Sequence, residues 1–377
     1  MPAREATHAG SWYSDDGPAL SRELDHYLDQ VPDQIEGLGS LPVPGARVII
    51  GPHAGYSYSG PCAAFAYKSL DLSNAKRIFL IGPSHHHHLS TLALPRLTSY
   101  ETPLSTDPLP LDTDLISKLL NDTTTPVRFT TMSPSVDEAE HSLELHLPYI
   151  HHMLRRKFPS TPTSSYPPLV PIMVGSTSPS TERAFGEILA PYLADPSNAF
   201  IISSDFCHWG SRFGYTYYVP EAPYPGPNLP LSHTSLPQPS STSTQSIEST
   251  IKSVSGGHPL RSRSHVPSPG PKIHESISSF DIATMAAIAS GETDSFLEIL
   301  RQTSNTVCGR HPIGVIMAAL EAVAANGDGE EGGKGKGNAG EGGIQKGKFN
   351  FIRYERSSDA VSVSDSSVSY VSAFAVL

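Results

Sequence analysis

Histidine and cysteine are the residues of this chain with chemistry to offer, and the histidines fall where strands should end. Val48-Ile49-Ile50-Gly51-Pro52-His53 is one such stretch, and Arg77-Ile78-Phe79-Leu80-Ile81-Gly82-Pro83-Ser84-His85-His86-His87-His88 is a second. Phe200-Ile201-Ile202-Ser203-Ser204-Asp205-Phe206-Cys207-His208 is the third. Apolar runs of this length suit strands buried on both faces, and a Gly-Pro step then stops the strand and turns the backbone outward. In open α/β sheets, ligands collect outside the carboxyl ends of parallel strands, so the three exits are expected to converge on one site. Neutral imidazole and thiolate bind Fe(II), Cu and Zn, and two His with one Cys leave a coordination position open for chemistry. Cys308 stands just ahead of the helix that Pro312 should begin, with Arg310 nearby, and both features favour thiolate over thiol. The plain alternative for Cys308 is a small buried hydrophobe.

The same residues admit other uses. Cys207-His208 or Cys308-His311 could pair a thiol nucleophile with a base, although sequence neighbours need not meet in hydrogen-bonding geometry. Ser203-Ser204-Asp205 hints at a hydrolase, but no GxSxG elbow supports one. The Gly-rich run 326–348 has neither P-loop spacing nor GxGxxG, so nucleotide binding is not supported. His141 and Glu144 are three apart on an expected helix and share a face, as an acid/base or ligand-supporting pair or as a solvated one. Trp12 reads as a core anchor in preference to a ligand-stacking ring. His87 and His88 read as exposed loop.

The elements that must position these groups spell an α/β chain. A helix over Gly17–Val31 carries Leu20, Leu24, Leu28 and Val31 on one stripe. The first two strands flank the small-residue helix Gly60–Ala66, a βαβ unit whose right-handed crossover puts the His53 and His85 exits on one edge. Residues 101–110 read as loop, followed by a helix near Asp112–Leu120 and another spanning 140–149. Leu169–Val174 is a further strand, Ser180–Leu193 a further helix, and helical stripes recur from Ile273, Phe296 and Pro312. The alternating segments 348–355 and 367–377 complete the sheet.

Composition sets outer bounds. The net charge of −11 over 377 residues repels phosphate backbones, so nucleic acid is not an expected partner. No apolar run approaches the roughly 18 residues of a membrane span. Cys62, Cys207 and Cys308 cannot all pair, which together with the lack of a charged-then-apolar leader suggests a reducing cytoplasmic setting, or a nuclear one. Residues 220–271 hold eleven Pro and twelve Ser, a disordered-insert composition, and 326–348 hold ten Gly, a flexible insert. The remainder is expected to fold as one domain spanning 1–377.

At these same residues the sequence resembles the Memo family, named for mediating receptor-driven cell motility. The resemblance rests on Arg4-Glu5-Ala6, His8-Ala9-Gly10-Ser11-Trp12-Tyr13, Pro52-His53-Ala54-Gly55-Tyr56 and Gly82-Pro83-Ser84-His85-His86. It continues through Glu140-His141-Ser142, His146-Leu147-Pro148-Tyr149, Ser203 to Gly210, Cys308 to Val315 and Asp365 to Tyr370. The resemblance implies an αβα sandwich with a central parallel or mixed sheet, similar to class III non-haem-iron extradiol dioxygenases. It implies a metal site of His53, His85 and Cys308, with Asp205 and His208 alongside as catalytic candidates. Trp12, His8, His86, His141 and Glu144 are the further ligand-contacting candidates. The implied cofactor is iron or copper, with zinc a third candidate. The implied activity is a copper- or iron-dependent redox reaction that generates reactive oxygen species in signalling. The alternative is a non-catalytic module that captures phosphotyrosine or other anionic peptides of a signalling protein. Cys308 stands where the dioxygenases carry a carboxylate, and a thiolate shifts preference toward softer Cu(I).

Overall fold

The apolar runs become strands. In the computed structural model, which describes residues 3–261, 266–327 and 344–377, ten strands form one sheet. They are β1 Ala46–Gly51, β2 Arg77–Pro83, β3 Leu92–Pro95, β4 Thr130–Met132, β5 Leu169–Val174, β6 Asn198–Ser203, β7 His208–Trp209, β8 Leu231–Ser232, β9 Phe349–Arg356 and β10 Ser367–Val376. Across the sheet the order is β8-β9-β10-β1-β6-β2-β5-β3-β4, with β7 paired to β10. The central strands β1, β6, β2 and β5 are parallel, and β10 runs antiparallel to β1. Val48 to Ile50 and Ile78 to Ile81 are fully enclosed, and each aliphatic or aromatic side chain so buried contributes about 1.5–3 kcal/mol.

Helices flank this sheet to give an αβα sandwich. They are α1 Gly17–Asp29, α2 Tyr56–Ser69, α3 Thr113–Asn121, α4 Pro134–Ala139, α5 His141–Glu144, α6 Leu147–Lys157, α7 Pro179–Ala194, α8 Thr244–Ser255, α9 Ile273–Ala289, α10 Thr293–Thr303 and α11 Arg310–Gly327. Side-chain caps set several starts: Asp16 accepts from the Ala19 amide, Asp112 from Leu115, and Ser178 from Thr181. Helix α2 covers β1, β9 and β10, whereas α7 and α11 pack on each other with α11 against β2 and β6.

For the site, register matters most. Strand β6 returns between β1 and β2, with Ile202 level with both Ile50 and Ile81, and Ser203 level with Gly51. All three carboxyl ends therefore finish in one row, and the segments leaving them share one edge.

Several expectations are corrected. Helix α8 and strand β8 lie within 220–271, where a disordered insert was expected. The Pro/Ser bias hides Ile247, Ile251 and Val254 at helical spacing, and with Leu236 and Leu260 they are buried, α8 lying against α9 and α10. Residues 262–265 and most of the expected Gly-rich insert, 328–343, lie outside the described residues. The expected loop at 101–110 is largely a hairpin of Ser99–Thr102 with Ser105–Pro110, paired through Tyr100 and Leu109. The expected helix over 140–149 is broken between α5 and α6, where Pro148 takes a first-turn position. No helix among the described residues is long and apolar enough to cross a membrane.

Candidate metal centre

Past β1, the Pro52 turn carries His53 into the interior, where it is 1% exposed. Its amide donates to Asp205 Oδ1 at 2.8 Å, so the β1 and β6 exits are tied together. His53 Nδ1 lies 2.6 Å from Ser203 Oγ, and that hydroxyl donates its own proton to the Ser142 carbonyl at 2.7 Å. The hydroxyl can then only accept from the ring, which places the ring proton on Nδ1. Nε2 is left with its lone pair, buried and without a hydrogen-bond partner, 4.0 Å from Asp205 Oδ2. Burial, reinforced by His85 and His141, holds the His53 pKa well below its ordinary value, so the ring is neutral.

His85 is arranged the same way by a different acceptor. Glu140 accepts from the His85 amide at 2.6 Å and from His85 Nδ1 at 2.8 Å, and the Ser142 amide adds a third bond at 2.9 Å. Burial opposes the Glu140 charge, but the His85 bonds outweigh it and hold the carboxyl at about 2. A ring held through Nδ1 by a carboxylate is the arrangement typical of metal-binding histidines.

The third imidazole is His141, at the start of α5. It stacks with His85 at 4.5 Å and 22° and with Trp12 at 4.5 Å and 29°. Burial and His85 push its pKa down to about 3 against the opposing pull of Glu140, and its buried Nδ1 has no hydrogen-bond partner. His53, His85 and His141 each offer a ligand atom within 4.8 Å of the others, so this group could hold a metal ion.

The three rings line a cavity of about 840 Å³ together with Trp12, Asp205, His208 and Cys308. Cys308 is placed by its amide, which donates to the Asp205 carbonyl at 3.1 Å, and by Gly309, whose amide reaches Ser204 Oγ at 3.0 Å. A Cβ on Gly309 would stand 2.4 Å from Ser204 Cβ, so the Cys308 loop approaches β6 as closely as glycine permits. Burial first, then Asp205 and Glu140, push the Cys308 thiol well above its ordinary pKa, against the bias toward thiolate read from the helix start, and Arg310 is exposed. The sulfur stands 3.7 and 3.8 Å from the two nitrogens of His208, whose Nδ1 lies 3.0 Å from the Phe206 carbonyl. Neither sequence-adjacent pairing forms, since His311 binds Glu182 at 2.7 Å and Cys207 is fully buried. Burial pushes the Asp205 carboxyl above its ordinary pKa, against the opposing pull of His208 and of the His53 amide.

Other candidates fall elsewhere. Glu144 does not pair with His141. It accepts from the fully buried Arg4 at 2.6 Å, from the His8 amide and Nδ1 at 2.8 Å each, and from Tyr13 Oη at 2.8 Å. His8 and Glu144 therefore anchor the N-terminal segment instead of lining the cavity. His86 is exposed, with its ring 5.6 Å from His141. Trp12 is 37% exposed at the cavity rim, so its expected core role is corrected too. Residues 4–13 hold it there, with the Trp12 carbonyl accepting from Tyr56.

A family model described as Memo-like protein matches residues 4–374. The chain belongs to the Memo family. Protein MEMO1 of Mus musculus is 37% identical over 368 residues, covering 97% of this chain and 95% of its own. The Homo sapiens protein of that name is 36% identical with the same coverage. A MEMO1 family protein of Schizosaccharomyces pombe is 36% identical over 373 residues, 99% of this chain and 98% of its own. In this Memo protein, the residues missed by sequence reasoning are Glu140, Ser203 and Arg4. Glu140 had one visible signal, an acidic residue directly before His141; Ser203 and Arg4 had none beyond their place in the motifs.

Proposed function

We propose that this Memo protein holds copper or iron at the edge formed by the β1, β2 and β6 exits and acts there as a metal-dependent oxidoreductase that generates reactive oxygen species in signalling. One observation carries the reading: the buried Nε2 of His53 has its lone pair fixed outward by Ser203 and has no partner. A buried acceptor left unpaired is costly unless something binds it, and a cation beside the imidazoles of His85 and His141 is the fitting occupant. In this proposal His53 and His85 are the anchoring ligands and Cys308 is the third. Copper or iron bound there would supply one-electron exchange with oxygen or peroxide. A nearby cation would reverse the electrostatics that keep Cys308 protonated, so binding is accompanied by loss of the thiol proton. Asp205 beside His53, or His208 facing the sulfur, would orient a ligand or relay protons.

Elemental analysis of purified protein and its variants tests this. Copper or iron near one per chain, lost in His53→Ala and in Cys308→Ser, with oxygen uptake that follows the metal, supports the proposal. Full retention in Cys308→Ser with loss in His141→Ala would replace the thiol by the third imidazole. Retention in His53→Ala would overturn the site. A second reading, a non-catalytic pocket for phosphotyrosine-type peptides, is favoured by Arg212 and the exposed Trp12 on the cavity wall. Such binding should persist in metal-free protein with no oxygen uptake.

A further inference from the structure

Behind the cavity lies a phenol–imidazole pair that the metal site does not use. Tyr67 on α2 and His146, immediately before α6, are both fully enclosed. Tyr67 Oη is 2.7 Å from His146 Nδ1 and 3.3 Å from the His146 carbonyl, so the ring nitrogen is its closer partner. The ring packs on β1, where a Cβ on Gly51 would stand 3.3 Å from His146 Cε1. Gly51 precedes His53 by two residues. His146 Nε2 has no hydrogen-bond partner; burial pushes the ring's pKa down to about 3, against a smaller opposing pull from the Gly51 backbone. A proton on Nε2 leaves the Nδ1 lone pair to receive the phenol.

We propose that Tyr67 is a redox-active tyrosine, oxidised by one electron with its phenolic proton passing to His146. The O–H bond breaks, the proton moves along the 2.7 Å hydrogen bond to form N–H at Nδ1, and the electron leaves for an oxidant of the peroxide class. The products are a neutral phenoxyl radical and an imidazolium. One hydrogen peroxide takes two such electrons, from two chains, with two solvent protons, and leaves as two waters. That peroxide reacts at the His53 edge rests on the function proposed above; the pair itself does not.

The neighbouring tyrosines show why Tyr67 is singled out. Tyr149 stacks on it at 4.6 Å and 6°, and Tyr56 follows at 5.5 Å from Tyr149. Their hydroxyls donate to the Gly60 and Leu145 carbonyls, which cannot take up a proton. Tyr13, 5.4 Å from Tyr56, donates to Glu144, whose oxygens already accept from Arg4 and His8. Tyr67 alone in this stack has an imidazole to receive its proton.

The test uses the full chain in two forms. Metal-free protein is oxidised by flash-generated ruthenium(III) tris-bipyridine, and copper- or iron-loaded protein by hydrogen peroxide, each frozen for electron paramagnetic resonance. A tyrosyl radical is expected in both. It should be lost in Tyr67→Phe, kept in Tyr149→Phe and shorter-lived in His146→Gln. Should Tyr67→Phe fail to fold, electron–nuclear resonance of the native radical must still show a hydrogen bond from a nitrogen-borne proton. A radical of unchanged yield in Tyr67→Phe, or one lacking that proton, overturns the pair. A Tyr67 radical under the photo-oxidant but not under peroxide supports the pair and counts against the metal reading alone.

Discussion

Replacing Glu140 by glutamine should weaken metal binding strongly while leaving the fold in place. The carboxylate satisfies the His85 amide at 2.6 Å, His85 Nδ1 at 2.8 Å and the Ser142 amide at 2.9 Å. With its pKa at about 2 it is fully anionic at neutral pH, so the bond to the ring is charge-assisted. Glutamine keeps the length and one acceptor oxygen but turns an amide NH₂ toward donors that need an acceptor. Partners of this kind are worth about 10–100-fold in metal affinity, or about 1.4–2.7 kcal/mol. One buried donor left unsatisfied costs a further 1–3 kcal/mol or so of stability, read separately from the denaturant midpoint. Competition titration against a chelator, with copper(I) and iron(II) in turn, measures the affinity. An unchanged dissociation constant in folded Glu140→Gln protein would refute the reasoning, because His85 would then bind no metal or bind it independently of its carboxylate.

Ser203→Ala removes the acceptor that fixes the His53 tautomer and should lower metal affinity about tenfold by the same titration, with the far-ultraviolet spectrum unchanged. Arg4→Met leaves the Glu144 and Asp137 carboxylates buried without their cation and should cost about 3–5 kcal/mol in denaturant unfolding. Acid should unfold the protein in a definite window: burial opposes the Glu144 charge, but His8 and Arg4 prevail and lower its pKa from 4.5 to about 2. A depressed carboxyl pKa contributes stability in full above 4.5 that is lost as pH falls toward 2, and Arg4→Met should flatten that slope.

The strands and the row of exits were legible because buried parallel strands leave a trace of consecutive apolar residues, closed in two of the three by Gly-Pro. Val48 to Ile50, Ile78 to Ile81 and Phe200 to Ile202 needed no partner to be recognised. What failed was reading disorder from composition. In 220–271 the Pro and Ser residues dominate any count, yet burial is decided by where the few apolar residues fall, and Ile247, Ile251 and Val254 fall on one helical face. The hairpin at 99–110 failed for a related reason, since Pro108 and Pro110 at strand positions suppress the strand signal although edge strands tolerate them.

At the site, residue types were legible and their states were not. His53, His85, Asp205, His208 and Cys308 could be named because each stands at a strand exit or a helix start, and the fold brings all five to one cavity. Protonation depends on neighbours remote in sequence. The helix start and Arg310 bias Cys308 toward thiolate, whereas burial and the carboxylates of Asp205 and Glu140 act together against charge. The His53 lone pair depends on Ser203, and the orientation of that hydroxyl depends on the Ser142 carbonyl, 61 positions away. A one-dimensional pattern can thus propose ligands; whether they present lone pairs follows only from the donors and acceptors closed around them in three dimensions. The same logic makes cadmium(II) a useful probe: a thiolate bond at Cys308 adds a sulfur-to-metal charge-transfer band and releases one proton per ion, and three imidazoles alone do neither. A loaded site lacking that band would transfer the third ligand position from Cys308 to His141.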